Sequence, residues 1–324
     1  MKPNSVVNEI IKAEYRIRKY IYETPLEYSP YLSLLTGAEV FLKLENLQLT
    51  GSFKIRGAFN KLLSLEEDDC QKVPITSSTG NHALAFAHVM QKLGKSGIII
   101  LPKTTSKVKI EALSPYNINL EYFGEDCLEA EIHARNVATK INSSYISPYN
   151  DLQIIAGQGT IGIELEKQSE KLDMKVDAVF IPVGGGGLIS GIASYLKMNF
   201  PQIEIVACQP KNSPVMYASL AASQIIEIES QPTISDGTAG GIEPNAITFD
   251  ICKQVIDQFF LVEEDEIKQA LKLLLEKHQW LVEGAAGLSL ASLIKQAQHY
   301  KGKNVVLVLC GRRLGLNQLK ELLQ

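Results

Sequence analysis

The sequence predicts an α/β chain in two closely packed lobes, with parallel-rich sheets flanked by helices. Three observations carry this. Short β-rich apolar runs alternate with helical patterns: VPITS at 73–77, GIIILP at 97–102, NLEYF at 119–123, DAVFIPV at 177–183, EIVACQP at 204–210 and NVVLVLC at 304–310. None alternates strictly between apolar and polar residues, which is the pattern of parallel strands covered on both faces. At 324 residues the chain also exceeds one core, since single cores stop growing near about 250–300 residues.

Three of the runs fall between 74 and 149, with helical partners in SSTGNHALAFAHVMQKLG, EALSPYNI and CLEAEIHARNVATKI. They suffice for a small sheet, so the expected division is a large domain from 1–73 and 150–324 and a small substrate-side domain from 74–149. The uncharged stretch from Ala178 to Leu196 has the length of a membrane span. Pro182 and four consecutive glycines break it, and it reads as strand, loop and helix. After the last strand comes one short helix, LNQLKELLQ, so no appended regulatory domain is expected. No fixed-period repeat or low-complexity segment is visible.

Composition narrows the class of ligand. With 45% hydrophobic and 21% charged residues and a net charge of -4, there is no basic surface for nucleic acid or anionic lipid, which leaves a small molecule. The five cysteines, Cys70, Cys127, Cys208, Cys252 and Cys310, are odd in number and form no CxxC pair. Neither a disulfide framework nor a zinc site fits, and a reducing cytoplasm does. The opening MKPNSVVNEIIKAEYRIRKY has no apolar core of a signal peptide.

Four elements carry chemistry. Gly184, Gly185, Gly186 and Gly187 separate a buried strand from a helix, and a run of four glycines arises by chance in only roughly 1% of chains this long. Converging backbone N–H groups and a helix start suit a phosphate, although a tight turn without ligand remains open. G-x-G-x-x-G spacing is missing, and LGKSG at 93–97 lacks the upstream glycine of a P-loop. A small phosphorylated cofactor fits better than a nucleotide.

Lys54, in GSFKIRGAFNKL, stands between Phe53 and Ile55 at a helix start. Partial desolvation there lowers its pKa and makes it a usable Schiff-base amine, where most lysines are solvated charges. In ITSSTGNHALAFA, residues Ser78, Thr79 and Gly80 precede Asn81 and His82 at a helix start and can present N–H groups to a carboxylate, or merely cap the helix. Cys310 and Gly311 end the last apolar strand, where ligands of open α/β sheets lie.

Taken in order, GSFKIRGA, SSTGNH, AGQGTIGIE, PVGGGGLISGIA, DGTAGG and VEGAAGLSLA resemble the fold-type II pyridoxal phosphate (PLP) enzymes of tryptophan synthase β-like architecture. Within them the likeness is to the threonine/serine dehydratase and serine racemase branch. The resemblance implies that Lys54 binds PLP covalently and shuttles the α-proton while Phe53 packs by the ring. It implies that Asn81 meets the phenolic oxygen, that Gly184 to Gly187 with Leu188 bind the phosphate, and that Cys310 faces the pyridine nitrogen in place of a serine. Asn150, Gly241 and Glu283 would line the cofactor pocket, and Ser77, Ser78, Thr79 and His82 would surround the substrate carboxylate. The implied reaction is α,β-elimination of water from a small hydroxy amino acid, giving a 2-keto acid and ammonia, in a homodimer.

Three departures qualify the reaction. Thr79 keeps a hydroxyl where many dehydratases are apolar and serine racemase has a serine acid/base, so Thr79 is a second candidate catalytic group. Where racemase-like relatives hold a divalent cation, CQPKNSPVM offers Gln209, Ser213 and Val215, and no metal is expected. Arg312 and Arg313 replace the usual end of the last strand and either bind a second carboxylate or face solvent. An amino acid racemase and a hydroxyaspartate-type dehydratase are therefore alternatives. A catalytically silent PLP-binding protein is a third, opposed by the retention of Lys54, Asn81 and the glycine loop.

Overall fold

The computed structural model describes residues 3–65 and 72–323, so Cys70 lies outside the described residues. Its strands are β1 (Leu26–Tyr28), β2 (Glu39–Lys43), β3 (Ile75–Ser77), β4 (Ile98–Leu101), β5 (Asn119–Tyr122), β6 (Ala178–Pro182), β7 (Glu204–Pro210), β8 (Gln258–Val262) and β9 (Asn304–Val308). They form a six-stranded sheet in the order β1-β2-β9-β6-β7-β8 and a three-stranded sheet β3-β4-β5. Only β1 and β2 pair antiparallel among these ladders.

Six strands coincide with the apolar runs. β1 and β8 are the edges of the larger sheet and are only partly buried, which dilutes their apolar signal. One helix differs from expectation. EALSPYNI does not form one; the helix there is Lys107–Glu111, followed by turns. Pro115 has no N–H and biases Ser114 away from helical backbone, so the helix stops short of it.

The larger core is built on β6, β7 and β9, with Val179, Phe180, Val206 and Val306 fully buried. A second core joins Phe86, Ile99 and Leu101 of the three-stranded layer to Ile17, Ile55, Phe59 and Ile154. Helix Lys54–Leu63 thus packs on both layers, and its first residue is held where they meet.

Buried charge anchors that same helix. Arg56 makes a two-pronged contact with Glu45, Nε to Oε2 at 2.8 Å and Nη2 to Oε1 at 2.7 Å, and reaches Glu164 Oε1 at 2.7 Å. Lys43 Nζ lies 2.6 Å from Glu164 Oε2, and all four side chains are essentially inaccessible. Buried ions are tolerable only when paired in this way.

Candidate active site

Lys54 begins its helix at the carboxyl end of β9. Ser52 bridges to Gly311, and Phe53 N–H donates to the Cys310 carbonyl at 3.1 Å. The Lys54 ammonium donates to the Pro148 carbonyl at 2.8 Å and lies 5.1 Å from the Phe53 ring centroid. Burial pushes its pKa down to about 8, against the opposing pull of Cys310 and Glu283. A fraction of the amine is therefore neutral near physiological pH, as a nucleophilic lysine requires.

Glu283, at the entry to helix Gly284–Lys295, gathers the opposite wall. Its N–H donates to the Gly311 carbonyl at 3.1 Å. Its carboxylate accepts from Asn81 Nδ2 at 3.1 and 2.8 Å, from Arg313 N–H at 3.2 Å and from the Cys310 thiol at 3.7 Å. Burial raises the Glu283 pKa against those donors, and burial with Glu283 beside it raises the Cys310 thiol well above its ordinary value. Gly311 leaves room for the Glu283 carboxylate, since a Cβ there would stand 2.5 Å from Glu283 Oε1.

The glycine loop follows β6 and opens helix Gly187–Asn199. Gly186 takes a left-handed φ of +85°, which glycine adopts without strain. A Cβ on Gly185 would lie 2.5 Å from Tyr149 Cγ, and one on Gly187 would lie 3.0 Å from Tyr149 Cβ. The loop therefore packs directly on the Tyr149 ring. The first N–H groups of the helix lack intrahelical acceptors. The Leu188 side chain sits in the larger core, so what Leu188 can offer a ligand is its backbone.

The segment after β3 holds the remaining candidates. Ser77 Oγ donates to the Ile100 carbonyl at 2.9 Å, and Ser78 Oγ accepts from Gly80 N–H at 3.2 Å. Gly80 is the N-cap and no side chain caps that helix, so Thr79 has no capping role. His82 is buried with Nε2 3.2 Å from the Ile146 carbonyl, which makes that nitrogen the donor. Burial, with Lys54 adding, pushes its pKa down to about 3, so the imidazole is neutral.

Other candidates stand apart. Asn150 Nδ2 donates to Glu243 Oε2 at 2.8 Å, and its Oδ1 accepts from Ile247 N–H at 2.9 Å. Gly241 is exposed, with open space around it. Arg312 is exposed, whereas Arg313 is half-buried, its pKa lowered by burial against Glu283 and Asp236. Tyr149 and Glu243 enter the site without any short-range sequence signature beyond the neighbouring Pro148. A separate cavity of about 680 Å³ lies at the amino-terminal ends of β6 and β7, lined by Val176, Val179 and Ile203 among others, and contains none of these residues.

These groups fit a phosphorylated aldehyde cofactor. The amine is desolvated, the glycines leave no room for side chains, and Asn81 Oδ1 is buried without a partner. An aldehyde-binding lysine beside a phosphate-suited loop on this two-sheet α/β frame defines a PLP enzyme of fold type II. The family profile described as "Pyridoxal-phosphate dependent enzyme" matches residues 17–311, and the chain belongs to that family.

The relatives narrow the branch. The chain is 35% identical over 317 residues to the L-threonine ammonia-lyase of Thermotoga maritima, covering 98% of this chain and 78% of that protein. It superposes on the processed form of threonine deaminase isoform 2 from Solanum lycopersicum with a TM-score of 0.93, 31% identity, and coverage of 99% and 87%. Maize serine racemase gives a TM-score of 0.90, 29% identity, and coverage of 97% and 95%.

Proposed function

We propose that the chain is a threonine/serine ammonia-lyase that eliminates water from a small hydroxy amino acid to give a 2-keto acid and ammonia. The observation carrying this reading is Lys54, an amine lowered to about 8 between Cys310, Glu283 and the Pro148 carbonyl. PLP, when bound, supplies an electron sink for negative charge at the substrate α-carbon. Lys54 holds the cofactor in the resting enzyme and then takes the α-proton, which a neutral amine can accept. Gly184 to Gly187 and the Leu188 backbone would hold the phosphate, Asn81 and Cys310 would meet the ring, and Phe53 and Glu283 would complete its surroundings, whereas Asn150 is engaged by Glu243 and Ile247 and Gly241 is exposed. Ser77, Ser78, Thr79 and His82 orient the substrate carboxylate. Neutral His82, its one N–H engaged by the Ile146 carbonyl, shapes that pocket and adds no charge at neutral pH.

The chain then divides at about 73 and 150 into a large cofactor domain and a small substrate-side domain, and works as a cytoplasmic homodimer. No helix among the described residues is long and apolar enough to cross a membrane. A second reading, amino acid racemisation, is supported by the Thr79 hydroxyl and the likeness to maize serine racemase. The deciding experiment measures keto-acid release from both enantiomers of serine, threonine and 3-hydroxyaspartate, in wild type and Lys54→Ala. Release from L-threonine or L-serine that vanishes in the variant is expected. Activity unchanged by Lys54→Ala sinks the proposal.

A further inference from the structure

Segment 147–150 leads into helix Leu152–Lys171 and touches three parts of the molecule at once. The Pro148 carbonyl receives the Lys54 ammonium at 2.8 Å. The Tyr149 ring lies against the glycine loop at Gly185, and Gly187 leaves room for the Tyr149 Cβ and backbone. The third contact is Glu243. Its Oε2 accepts from Asn150 Nδ2 at 2.8 Å, its Oε1 accepts from Ser147 Oγ at 3.4 Å, and its N–H donates to the Tyr149 hydroxyl at 2.8 Å. One residue thus holds this segment by three separate groups.

Glu243 also reaches the other layer. Its Oε1 lies 2.6 Å from Arg135 Nη2, on helix Cys127–Lys140, which packs against β3 and β4. Arg135 is itself placed by Glu131 at 3.0 Å and by the Tyr145 ring, whose centroid is 4.2 Å from the guanidinium carbon. A charge-assisted bond of this kind is stronger and more directional than a neutral one. It links the three-stranded layer to Tyr149, and through Tyr149 to the loop suited to the cofactor phosphate.

We propose that Glu243 is a positioning residue for the cofactor site: it holds Tyr149 against the glycine loop, and Arg135 makes that hold depend on where the three-stranded layer sits. Neither residue touches the reacting atoms. Their effect is transmitted through the phenol ring, so it registers in cofactor retention as well as in turnover.

The test follows loss of PLP from the purified holoenzyme by its own absorbance during dilution, alongside the melting temperature. Glu243→Ala keeps the backbone N–H to the Tyr149 hydroxyl but loses the side-chain hold on Ser147, Asn150 and Arg135, and is expected to lose cofactor about tenfold faster, which corresponds to about 1.4 kcal/mol. Arg135→Met and Glu243→Gln, which both break the ion pair, are expected to show smaller increases, that of Glu243→Gln the lesser. The Arg135→Met/Glu243→Gln double variant should be no worse than Arg135→Met alone, because the Arg135–Glu243 pair is already lost there, while Arg135→Met also gives up Glu131 and the Tyr145 ring. Tyr149→Phe, which keeps the ring and loses the hydroxyl, should also retain PLP less well. Wild-type retention in a folded Glu243→Ala protein overturns the proposal. Should Glu243→Ala fail to fold, wild-type retention in both Arg135→Met and Tyr149→Phe overturns it equally. The readout involves no substrate, so its failure is distinct from failure of the lyase assignment.

Discussion

Gly185→Ala probes the packing of the phosphate loop directly. The added carbon would stand 2.5 Å from Tyr149 Cγ and 2.6 and 2.7 Å from its two Cδ atoms. Carbon atoms in contact settle about 3.5–4.0 Å apart, so ring or loop must move by about 1 Å. The ring is not free to swing, because its hydroxyl is held by Glu243 N–H at 2.8 Å. Forced overpacking of this kind costs about 1–3 kcal/mol. Urea unfolding of the apoprotein should show a loss in that range, and titration with PLP should show weaker binding. Tyr149→Ala removes the obstacle. In that background Gly185→Ala should cost much less, giving a coupling of about 1 kcal/mol or more, within the range found for residues in contact. The reasoning is refuted if Gly185→Ala matches wild type in both measurements, or if its penalty persists unchanged once the ring is gone.

Three further outcomes follow from the same geometry. Arg56→Met strips Glu45 and Glu164 of a buried counter-charge and should cost about 3–5 kcal/mol in urea unfolding; an unchanged midpoint would show that the cluster contributes nothing. Lys54 titrates at about 8 when folded against an ordinary value of 10.5. Between those values the unfolded chain holds a proton that the folded one does not, so apoprotein stability should rise with pH across that window, and Lys54→Met should flatten the rise in thermal melts. Thr79→Ala removes no helix cap, so its stability should stay within about 0.5 kcal/mol of wild type. Elimination from L-serine should survive it, while D-serine formation should fall about 10²- to 10⁴-fold where Thr79 serves as a second acid/base. Collapse of elimination in a folded, cofactor-bound Thr79→Ala protein would show that Lys54 is not the sole essential base.

What was legible in the chain follows from burial. β6 and β9 are covered on both faces, so AVFIP and NVVLV read as unbroken apolar runs. β1 and β8 lie at the edges, where half-exposure mixes polar residues into the pattern. The glycine loop is conspicuous in the sequence, yet half of its physical reason is not, since Gly185 and Gly187 make room for Tyr149, a residue distant along the chain. Arg135, Glu243 and Asn150 carry no local pattern because ion pairs between layers depend on tertiary placement alone. Arg56, Lys43 and Glu164 are of the same kind, brought together only by tertiary placement.

The chemistry of Lys54 shows why composition and spacing run out at this point. Flanking by Phe53 and Ile55 hints at desolvation, but burial of the amine is a tertiary property and is opposed by Cys310 and Glu283, which arrive from the other end of the chain. Those two groups are themselves made reluctant to ionise by burial. A thiol that stays protonated at neutral pH places no full negative charge beside the amine. Glu283 is further engaged by Asn81, the Arg313 N–H and the thiol, which occupy its lone pairs. Burial of the amine thus outweighs the pull that Cys310 and Glu283 exert on the ammonium. An ionised carboxylate at position 310 would strengthen that pull and bring the Lys54 pKa back up. The balance is a property of three side chains brought together by the ends of β9 and helix Gly284–Lys295, and it explains how an ordinary lysine becomes a reactive one.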